Sequence, residues 1–380
     1  MISEPSSSLE RFLDDFKTIV NIDSSSENLP GIEKVALFFQ ERFEAIGLNT
    51  VLLYEGEQKV PCLQATTPGS KDRYDVMLLG HMDTVFPTGE AAKRPFAVRG
   101  DRAFGVGVCD MKGGLLVVLH ALEQLNQEGI LDHLSLCVTF NGDEEVGSGA
   151  SKNRIITNAV KSRRVLVFEP CRPGYRVVTR RKGGGWFKLT VLGKEAHAGA
   201  DIHLGVNAVV ELAHQIVAID KLNAPGRGTS VQSTVINGGN KTNIIPNRAT
   251  AAIDIRIQKK EEKKRIESFF AALPSNPVTK GARITVTGSI DRPPLEETAE
   301  SRAMFKLLSG EAAEMGIDLK AIATGGCSDG NFTAAAGTPT IDGLGLVGAN
   351  AHRPDEYVEL NSILPMIQLL SQMYKRILTQ

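Results

Sequence analysis

The sequence predicts an α/β protein, in which a mostly parallel sheet is flanked by helices and a smaller α+β domain is inserted. Two observations predict this class. Continuous apolar strands, as at 75–80 and 134–140, alternate with helical segments, which is typical of buried parallel strands. After residue 180 the strands instead alternate apolar and polar residues, as in a sheet with one exposed face. A chain of 380 residues is long enough for two or three domains.

The elements before residue 180 follow from the spacing of apolar residues. Segments 6–22 and 30–46 carry them at helical intervals, which predicts two amphipathic helices. Short apolar runs at 49–54 and 75–80 predict strands. Further along, we expect a helix at about 112–127, a strand at 134–140, a short helix near 149–159 and a strand at 164–170.

The inserted domain, residues 181–291, has the predicted order β-α-β-β-α-β. Its strands are expected at 186–193, 233–238, 248–257 and 282–288, and its helices at 205–219 and 259–273. This is the order of the split βαβ, or ferredoxin-like, sandwich. The surrounding domain then comprises residues 1–180 and 292–380, and it ends with a helix at 298–315, a strand near 319–323 and a helix at 361–377.

Composition excludes several classes of protein. Apolar residues make up 42% and charged residues 23%, the balance of a soluble globular protein. The net charge of -1 provides no basic excess for nucleic acid or an anionic membrane. The five cysteines include no CxxC pair, which indicates reduced thiols, and the sequence shows neither a signal peptide nor an apolar run of spanning length. We therefore expect a cytoplasmic protein with no nucleic-acid or membrane partner.

Histidine and acidic residues follow several of the predicted strands. His81 and Asp83 come just after an apolar run, and alternate residues of an extended segment point the same way. Asp110 lies in GVGVCDMKGG, just before a predicted helix. That loop resembles a dinucleotide-binding turn, but the carboxylate would repel a pyrophosphate. A metal-bridging carboxylate and a helix N-cap are the other interpretations of Asp110.

Three more segments add candidate ligands. Glu144 and Glu145 belong to a run of three acids after a buried strand, where a cation would relieve their mutual repulsion. Glu169 ends another apolar strand, and His352 lies in a loop rich in glycine and alanine, before an acidic segment. Imidazole and carboxylate ligands without thiolates suit a pair of zinc ions, with cobalt or manganese as alternatives. A pair of metals needs one bridging carboxylate.

These five segments, in this order, resemble the dinuclear zinc hydrolases that include glutamate carboxypeptidase, acetylornithine deacetylase, succinyl-diaminopimelate desuccinylase and aminoacylase. The similarity runs from about residue 75 to 360. Within the family the chain is most similar to bacterial glutamate carboxypeptidases. The segments that carry this similarity are GHMDTVFPTG, GKEAHAGADIHLGVNAVVE, NKTNIIPNRAT and LGLVGANAHRPDEYVEL.

The resemblance implies a role for each candidate in the metal centre. One zinc ion would be bound by His81 and Glu169 and the other by Glu145 and His352, with Asp110 bridging the two. Glu144 would be the general base, a role that its carboxylate can fill beside the shared water. Asp83 would orient the ring of His81 and fix its tautomer.

The resemblance also implies that the inserted domain is a lid that forms a homodimer. His197 matches a histidine that can reach the partner subunit's active site and stabilise the oxyanion. Asn243 and Arg256 match substrate-binding positions, and the guanidinium could hold a substrate carboxylate. Gly326 and Ser328 would line the substrate end of the site. The segment TGGCSDGN departs from the family there by carrying Cys327.

The expected activity is hydrolysis of the amide bond to a C-terminal amino acid, on a small acylated amino acid or short peptide. A deacylase of the acetylornithine deacetylase or succinyl-diaminopimelate desuccinylase type and an aminopeptidase-like dipeptidase are the alternatives that share the metal site. A non-catalytic homologue that binds metal and a nucleotide-binding enzyme are the alternatives from other classes.

Overall fold

The structure is a computed structural model that describes residues 5–69 and 73–378. The helices of this part of the chain are α1 Pro5–Val20, α2 Leu29–Ala45, α3 Glu90–Lys93, α4 Gly113–Gln127, α5 Lys152–Val160, α6 Ala208–Asp220, α7 Lys260–Ala272, α8 Ala299–Glu314, α9 Gly330–Ala335 and α10 Ile363–Leu378. The strands are β1 Asn49–Glu55, β2 Val60–Thr66, β3 Val76–His81, β4 Ala97–Arg99, β5 Arg102–Phe104, β6 Leu136–Asn141, β7 Val165–Val167, β8 Arg176–Arg181, β9 Gly183–Leu192, β10 Ala196–His197, β11 Ser230–Gly238, β12 Ile244–Ile245, β13 Arg248–Ile257, β14 Arg283–Arg292, β15 Lys320–Thr324, β16 Thr340–Ile341, β17 Gly348–Ala349 and β18 Tyr357–Glu359.

The chain divides into two compact units. Within the described residues, unit 1 runs to Arg180 and also includes Glu297–Ala323 and the chain from Ser328 onward. Unit 2 consists of Arg181–Glu296 and the short segment Thr324–Cys327. Unit 2 is therefore an insertion in unit 1. A second segment of the chain, the four residues Thr324–Cys327, also belongs to unit 2.

Unit 1 is built on a six-stranded sheet of order β1-β2-β6-β3-β7-β16. Strands β6, β3, β7 and β16 run parallel, while β2 is antiparallel to both of its neighbours. β3 and β6 are buried along their whole length, which explains their continuous apolar sequences. The predicted α/β class with a mostly parallel sheet is thus confirmed. β7 is shorter than predicted, so Glu169 lies in the loop after it.

Unit 2 is built on a four-stranded antiparallel sheet of order β11-β13-β9-β14. Alternate residues of β9 and β13 are buried with α6 and α7 in one core, where Phe187 stacks on Phe270 with ring centroids 4.1 Å apart. The other residues of these strands form an open face of the sheet. Trp186, the only tryptophan of the chain, is 56% exposed on this face. Apart from the short β10–β12 pair, the strands and α-helices of unit 2 follow the split βαβ order that the sequence predicts.

Two further findings bear on the expected surroundings of the protein. Among the described residues, no helix is both long and apolar enough to cross a membrane. All five cysteines are described and none of them forms a disulfide. Four of them are buried, and Cys327 is partly exposed.

Candidate functional site

The first group of candidate metal ligands lies at the carboxyl ends of the parallel strands. His81 is the last residue of β3, Asp110 precedes α4, and Glu169 follows β7. The Nε2 atom of His81 lies 3.1 Å from Asp110 Oδ1 and 3.7 Å from Glu169 Oε1. One ligand atom from each residue falls within 4.8 Å of the others, so the three could hold one metal ion.

A second group shares Asp110 with the first. The Nε2 atom of His352 lies 3.1 Å from Asp110 Oδ2 and 3.1 Å from Glu145 Oε2. These three residues also bring their ligand atoms within 4.8 Å of one another. Each oxygen of Asp110 therefore faces a different imidazole, which is the arrangement of a carboxylate that bridges two metal ions. Because both oxygens of Asp110 face imidazole nitrogens, this position does not favour the nucleotide-binding interpretation of the loop.

The ionisation of the site reflects its crowding. Hydrogen bonds to Asp110 and Glu145 raise the pKa of His352 to about 10. Burial would raise the pKa of Asp110, but hydrogen bonds from His352 and His81 outweigh it and hold that pKa well below its usual range. Burial raises the pKa of Glu145 to about 7, although the hydrogen bond from His352 opposes this. Protonated imidazoles thus balance buried carboxylates, and divalent cations would take over that role.

One buried oxygen without a hydrogen-bond partner indicates whether metal ions fit this set of candidate ligands. Within the described chain, Oε1 of Glu145 is buried and has no hydrogen-bond partner. Leaving a buried carboxylate oxygen unpaired is costly, and a cation between the two groups would satisfy it. Two imidazoles and three carboxylates are hard or borderline ligands, which suits zinc, cobalt or manganese. The residues present therefore fit a pair of metal ions.

Asp83 connects the two halves of the metal centre. Its side chain is fully buried, and Oδ1 lies 3.3 Å from Nδ1 of His81. The carboxylate also accepts hydrogen bonds from the backbone N–H groups of Glu144 and Glu145, both at 3.1 Å, and from the hydroxyl of Ser26 at 2.7 Å. Asp83 thus orients one imidazole and fixes the turn that carries two acidic residues.

The three consecutive acids have three different environments. Asp143 is buried and accepts hydrogen bonds from the backbone N–H groups of Ala150 and Ser151, so it stabilises the loop. Glu145 faces His352, whereas Glu144 begins a short 3-10 turn and is partly exposed. The turn ends at Gly147, whose φ of 101° favours glycine. Glu144 thus adjoins the candidate ligand Glu145 in the sequence and belongs to neither ligand group.

Glu356 is a residue that the sequence analysis missed. Its Oε1 accepts the backbone N–H groups of Cys109 and Asp110 at 2.6 and 3.0 Å. Burial raises the pKa of Glu356 to about 7, and Oε2 is buried without a partner in the described structure. Its position four residues after His352 was the available signal, because an acidic residue in the loop of a candidate ligand is expected close to the site.

In unit 2, His197 and Asn243 lie side by side. His197 pairs with Ile244 in the β10–β12 ladder, and the backbone N–H of Ala198 donates to the carbonyl oxygen of Asn243. The Nδ1 atom of His197 accepts the backbone N–H groups of Gly199 and Ala200 at 3.2 and 3.0 Å. The neutral ring therefore carries its proton on Nε2, so this exposed nitrogen is a hydrogen-bond donor.

Arg256 lies on the open face of the unit 2 sheet. Its guanidinium forms an ion pair with Asp254 at 3.0 Å, and both side chains are about 40% exposed. Gly326 belongs to the four-residue segment of unit 2, where its carbonyl oxygen accepts a hydrogen bond from Arg181 at 3.3 Å. Its amide and its open Cα face are the groups it could offer to a substrate.

Ser328 is the other residue that we expected to line the substrate end of the site. It is fully buried in unit 1, and its hydroxyl donates to Asp342 and accepts the N–H of Gly330. The next residue, Asp329, accepts hydrogen bonds from Asn141 and Ser148 and so ties α9 to the loop after β6. In this arrangement the Ser328 hydroxyl stabilises its own loop, and its part in substrate binding stays a prediction.

Comparison with known proteins agrees with this geometry. Residues 77–376 match the peptidase family M20/M25/M40. Carboxypeptidase G2 from Pseudomonas sp. (strain RS-16) is 30% identical over 359 residues, which cover 91% of this chain and 84% of that protein. A succinyl-diaminopimelate desuccinylase from Methylobacterium radiotolerans is 29% identical over 324 residues, covering 80% of each chain.

The fold has a close counterpart among solved structures. The crystal structure of aminopeptidase PepT from Bacillus cereus matches with a TM-score of 0.79 and 20% identity, covering 97% of this chain and 98% of that one. At this level of identity the match shows the fold alone.

Proposed function

Because the chain belongs to peptidase family M20/M25/M40, we propose that it hydrolyses the amide bond to a C-terminal amino acid, as a glutamate carboxypeptidase does. The chain is a metallopeptidase or amidohydrolase, a class that acts on small-molecule substrates. One observation carries the proposal: Asp110 lies between two imidazoles, and Glu144 directly precedes Glu145, a member of the second ligand group. Such a centre can activate water against an amide carbonyl.

The proposed cofactor is a pair of zinc ions per subunit, with cobalt or manganese as alternatives. His81 and Glu169 would hold one ion, Glu145 and His352 the other, and Asp110 would bridge them. When bound, such ions supply Lewis acidity toward water and toward the scissile carbonyl oxygen. The buried, unpaired Oε1 of Glu145 supports this assignment.

Glu144 is the proposed general base. Its carboxylate takes the proton of the attacking water and then delivers it to the amide nitrogen, which leaves as a free amine. Asp83 fixes the position of Glu144 by accepting its backbone N–H, and it holds the ring of His81 at the same time. The chain thus positions base and ligand through one buried carboxylate.

Unit 2 supplies the proposed substrate contacts. We assign residues 181–291 as a lid domain on a catalytic domain of residues 1–180 and 292–380. His197 would donate from Nε2 to the developing oxyanion, a role that its two Nδ1 acceptor bonds support. Arg256 would hold the α-carboxylate of the C-terminal amino acid, with Asn243 and Gly326 as further contacts.

Replacing Glu144 by Gln tests the mechanism. Glu144→Gln should still bind two metal ions but lose nearly all turnover, because the amide cannot accept the proton of water. Metal content by elemental analysis and steady-state hydrolysis of N-acyl amino acids would be measured together. Glu145→Gln is the matched comparison and should lose metal as well as activity. Near wild-type turnover in Glu144→Gln would refute the mechanism.

A deacylase is the second candidate function. The succinyl-diaminopimelate desuccinylases among the relatives support it. An aminopeptidase-like dipeptidase is a further alternative. A panel of N-acyl amino acids, dipeptides and glutamate-terminated folate-like compounds separates these activities, because they share the metal site and differ in the acyl and amino acid pockets.

We also propose a cytoplasmic homodimer formed through unit 2. The outward side of α6 exposes Val210 and Val217, and β11, at the edge of the sheet, exposes Val235. Gly238 of β11 lies against Val209 of α6, so the helix and the edge strand form one surface. An exposed edge strand can pair with the same strand of a second copy, which would also cover the valines. The unpaired cysteines support a reducing compartment.

A further inference from the structure

The guanidinium of Arg256 is held from one side by Asp254. Nε donates to Asp254 Oδ1 at 3.1 Å, and Nη2 donates to Oδ2 at 3.0 Å. The two residues are separated by one position on β13, so both side chains lie on the open face of the sheet. A pair of parallel N–H···O bonds fixes the plane of the guanidinium as well as its position.

Two further residues limit the guanidinium on its other sides. Cys327 lies with its Sγ 3.7 Å from Nη1. Gly184 is the cross-strand partner of Arg256 on β9, and a Cβ atom there would lie 3.0 Å from Nη1 and 3.3 Å from the sulfur. Its φ is not in the left-handed region, so the absence of a side chain matters here for space rather than for backbone conformation.

The donors that remain define what Arg256 can bind. A guanidinium has five N–H groups, of which Asp254 accepts two and Cys327 faces one. The two left are one on Nη1 and one on Nη2, at the tip of the side chain. Both belong to the terminal nitrogens, the pair of groups that can bind the two oxygens of one carboxylate.

We propose that Asp254 is a positioning residue that sets Arg256 to recognise a substrate carboxylate, with Gly184 and Cys327 confining the guanidinium. The inference rests on the proposed function, in which Arg256 binds that carboxylate. Asp254 neutralises much of the local positive charge, so recognition depends on two directed hydrogen bonds. The site therefore discriminates a carboxylate from a neutral carboxamide by geometry set before binding.

A purely structural role for this ion pair would instead predict a loss of stability when Asp254 is removed. Both side chains are about 40% exposed, and exposed pairs of this kind contribute little to stability. Removing Asp254 should therefore leave the fold intact. Asp318 and Lys320 offer a matched control, because they form an exposed pair in unit 1 with the same spacing and a distance of 3.0 Å.

The test compares N-benzoyl-L-glutamate with its α-carboxamide as substrates of the metal-loaded enzyme. In Asp254→Ala, KM for the carboxylate should rise about tenfold while kcat stays close to wild type, since one long side chain must be ordered on binding. KM for the carboxamide should not change. Gly184→Ala should raise the same KM by displacing the guanidinium, and Asp318→Ala should change neither value.

Labelling of Cys327 gives a readout of binding that does not depend on turnover. The other four cysteines are buried, so maleimide should react first at Cys327. L-glutamate should slow this reaction, and Asp254→Ala should need about tenfold more glutamate for the same protection. Unchanged protection and an unchanged carboxylate KM in Asp254→Ala would overturn the inference. If Arg256→Ala also leaves the carboxylate KM unchanged, the proposed substrate contact itself is wrong.

Discussion

At the scale of single residues, the candidate metal ligands depend on carboxylates that lie outside both ligand groups. Glu356 accepts the N–H groups of Cys109 and Asp110 from the loop that carries His352. It therefore connects Asp110, the proposed bridging carboxylate, to the loop of His352, a proposed ligand of the second ion. Asp83 makes the equivalent connection between His81 and the turn of Glu145. Both are buried, so their hydrogen bonds lie away from bulk water, where they are electrostatically stronger.

Replacing Glu356 by Ala should weaken metal binding about 10- to 100-fold, the range seen when a group that orients a ligand is lost. The backbone N–H groups of Cys109 and Asp110 would lose their acceptor, and Asp110 its fixed orientation. Competition with a chelator at known free zinc would measure the affinity. Glu356→Gln keeps one acceptor oxygen and should lose less. Wild-type affinity for both ions in the alanine variant would contradict this role.

At the scale of elements, the position of Glu169 depends on how closely α4 approaches the end of β7. A Cβ atom on Gly114 of α4 would lie 2.0 Å from the carbonyl oxygen of Phe168, the residue just before Glu169. Gly345 approaches the same carbonyl, with a Cβ distance of 2.5 Å. Two glycines thus allow a helix and a loop to pack against the backbone that presents a candidate metal ligand.

Replacing Gly114 by Ala should lower the free energy of unfolding by about 1–3 kcal/mol, the usual cost of overpacking a filled interior. It should also reduce metal affinity, because Glu169 moves with Phe168. Thermal unfolding and zinc titration would be measured together. Gly310→Ala is the matched control in a helix, since nothing lies within 4 Å of its Cβ position. That variant should be neutral or slightly stabilised. Equal effects at the two positions would exclude the packing argument.

How much of the site could be predicted from the sequence depends on whether a residue's neighbours in space are also near it in the sequence or follow from the strand order. His81, Glu145 and Glu169 follow runs of apolar residues, and the carboxyl ends of parallel strands meet at one edge. Their grouping could therefore be predicted. The contact between Glu356 and Asp110 joins positions 246 residues apart, so spacing alone did not predict it. The hydrogen bond from the Ser328 hydroxyl to Asp342 was likewise not predicted from the spacing.

At the scale of the whole molecule, the proposed dimer makes unit 2 the site of assembly. Val235→Asp places a charge on the exposed edge strand and should give a folded monomer, because a carboxylate in a closed interface would be buried without a partner. Light scattering after size exclusion measures the mass. Val160→Asp, at a valine of unit 1 that is 64% exposed, is the control and should remain dimeric. A monomeric wild-type protein would refute the dimer.

The single tryptophan gives each unit a different optical signature. Trp186 lies on β9 of unit 2, directly across from Asp254, and unit 1 contains no tryptophan. Tryptophan emission therefore monitors unit 2 alone, whereas far-ultraviolet circular dichroism averages over both units. If the two signals change together during denaturation, the units unfold cooperatively. If emission changes first, unit 2 unfolds while unit 1 stays folded. In the native protein, quenching of the indole by a substrate would report binding at the open face of the unit 2 sheet.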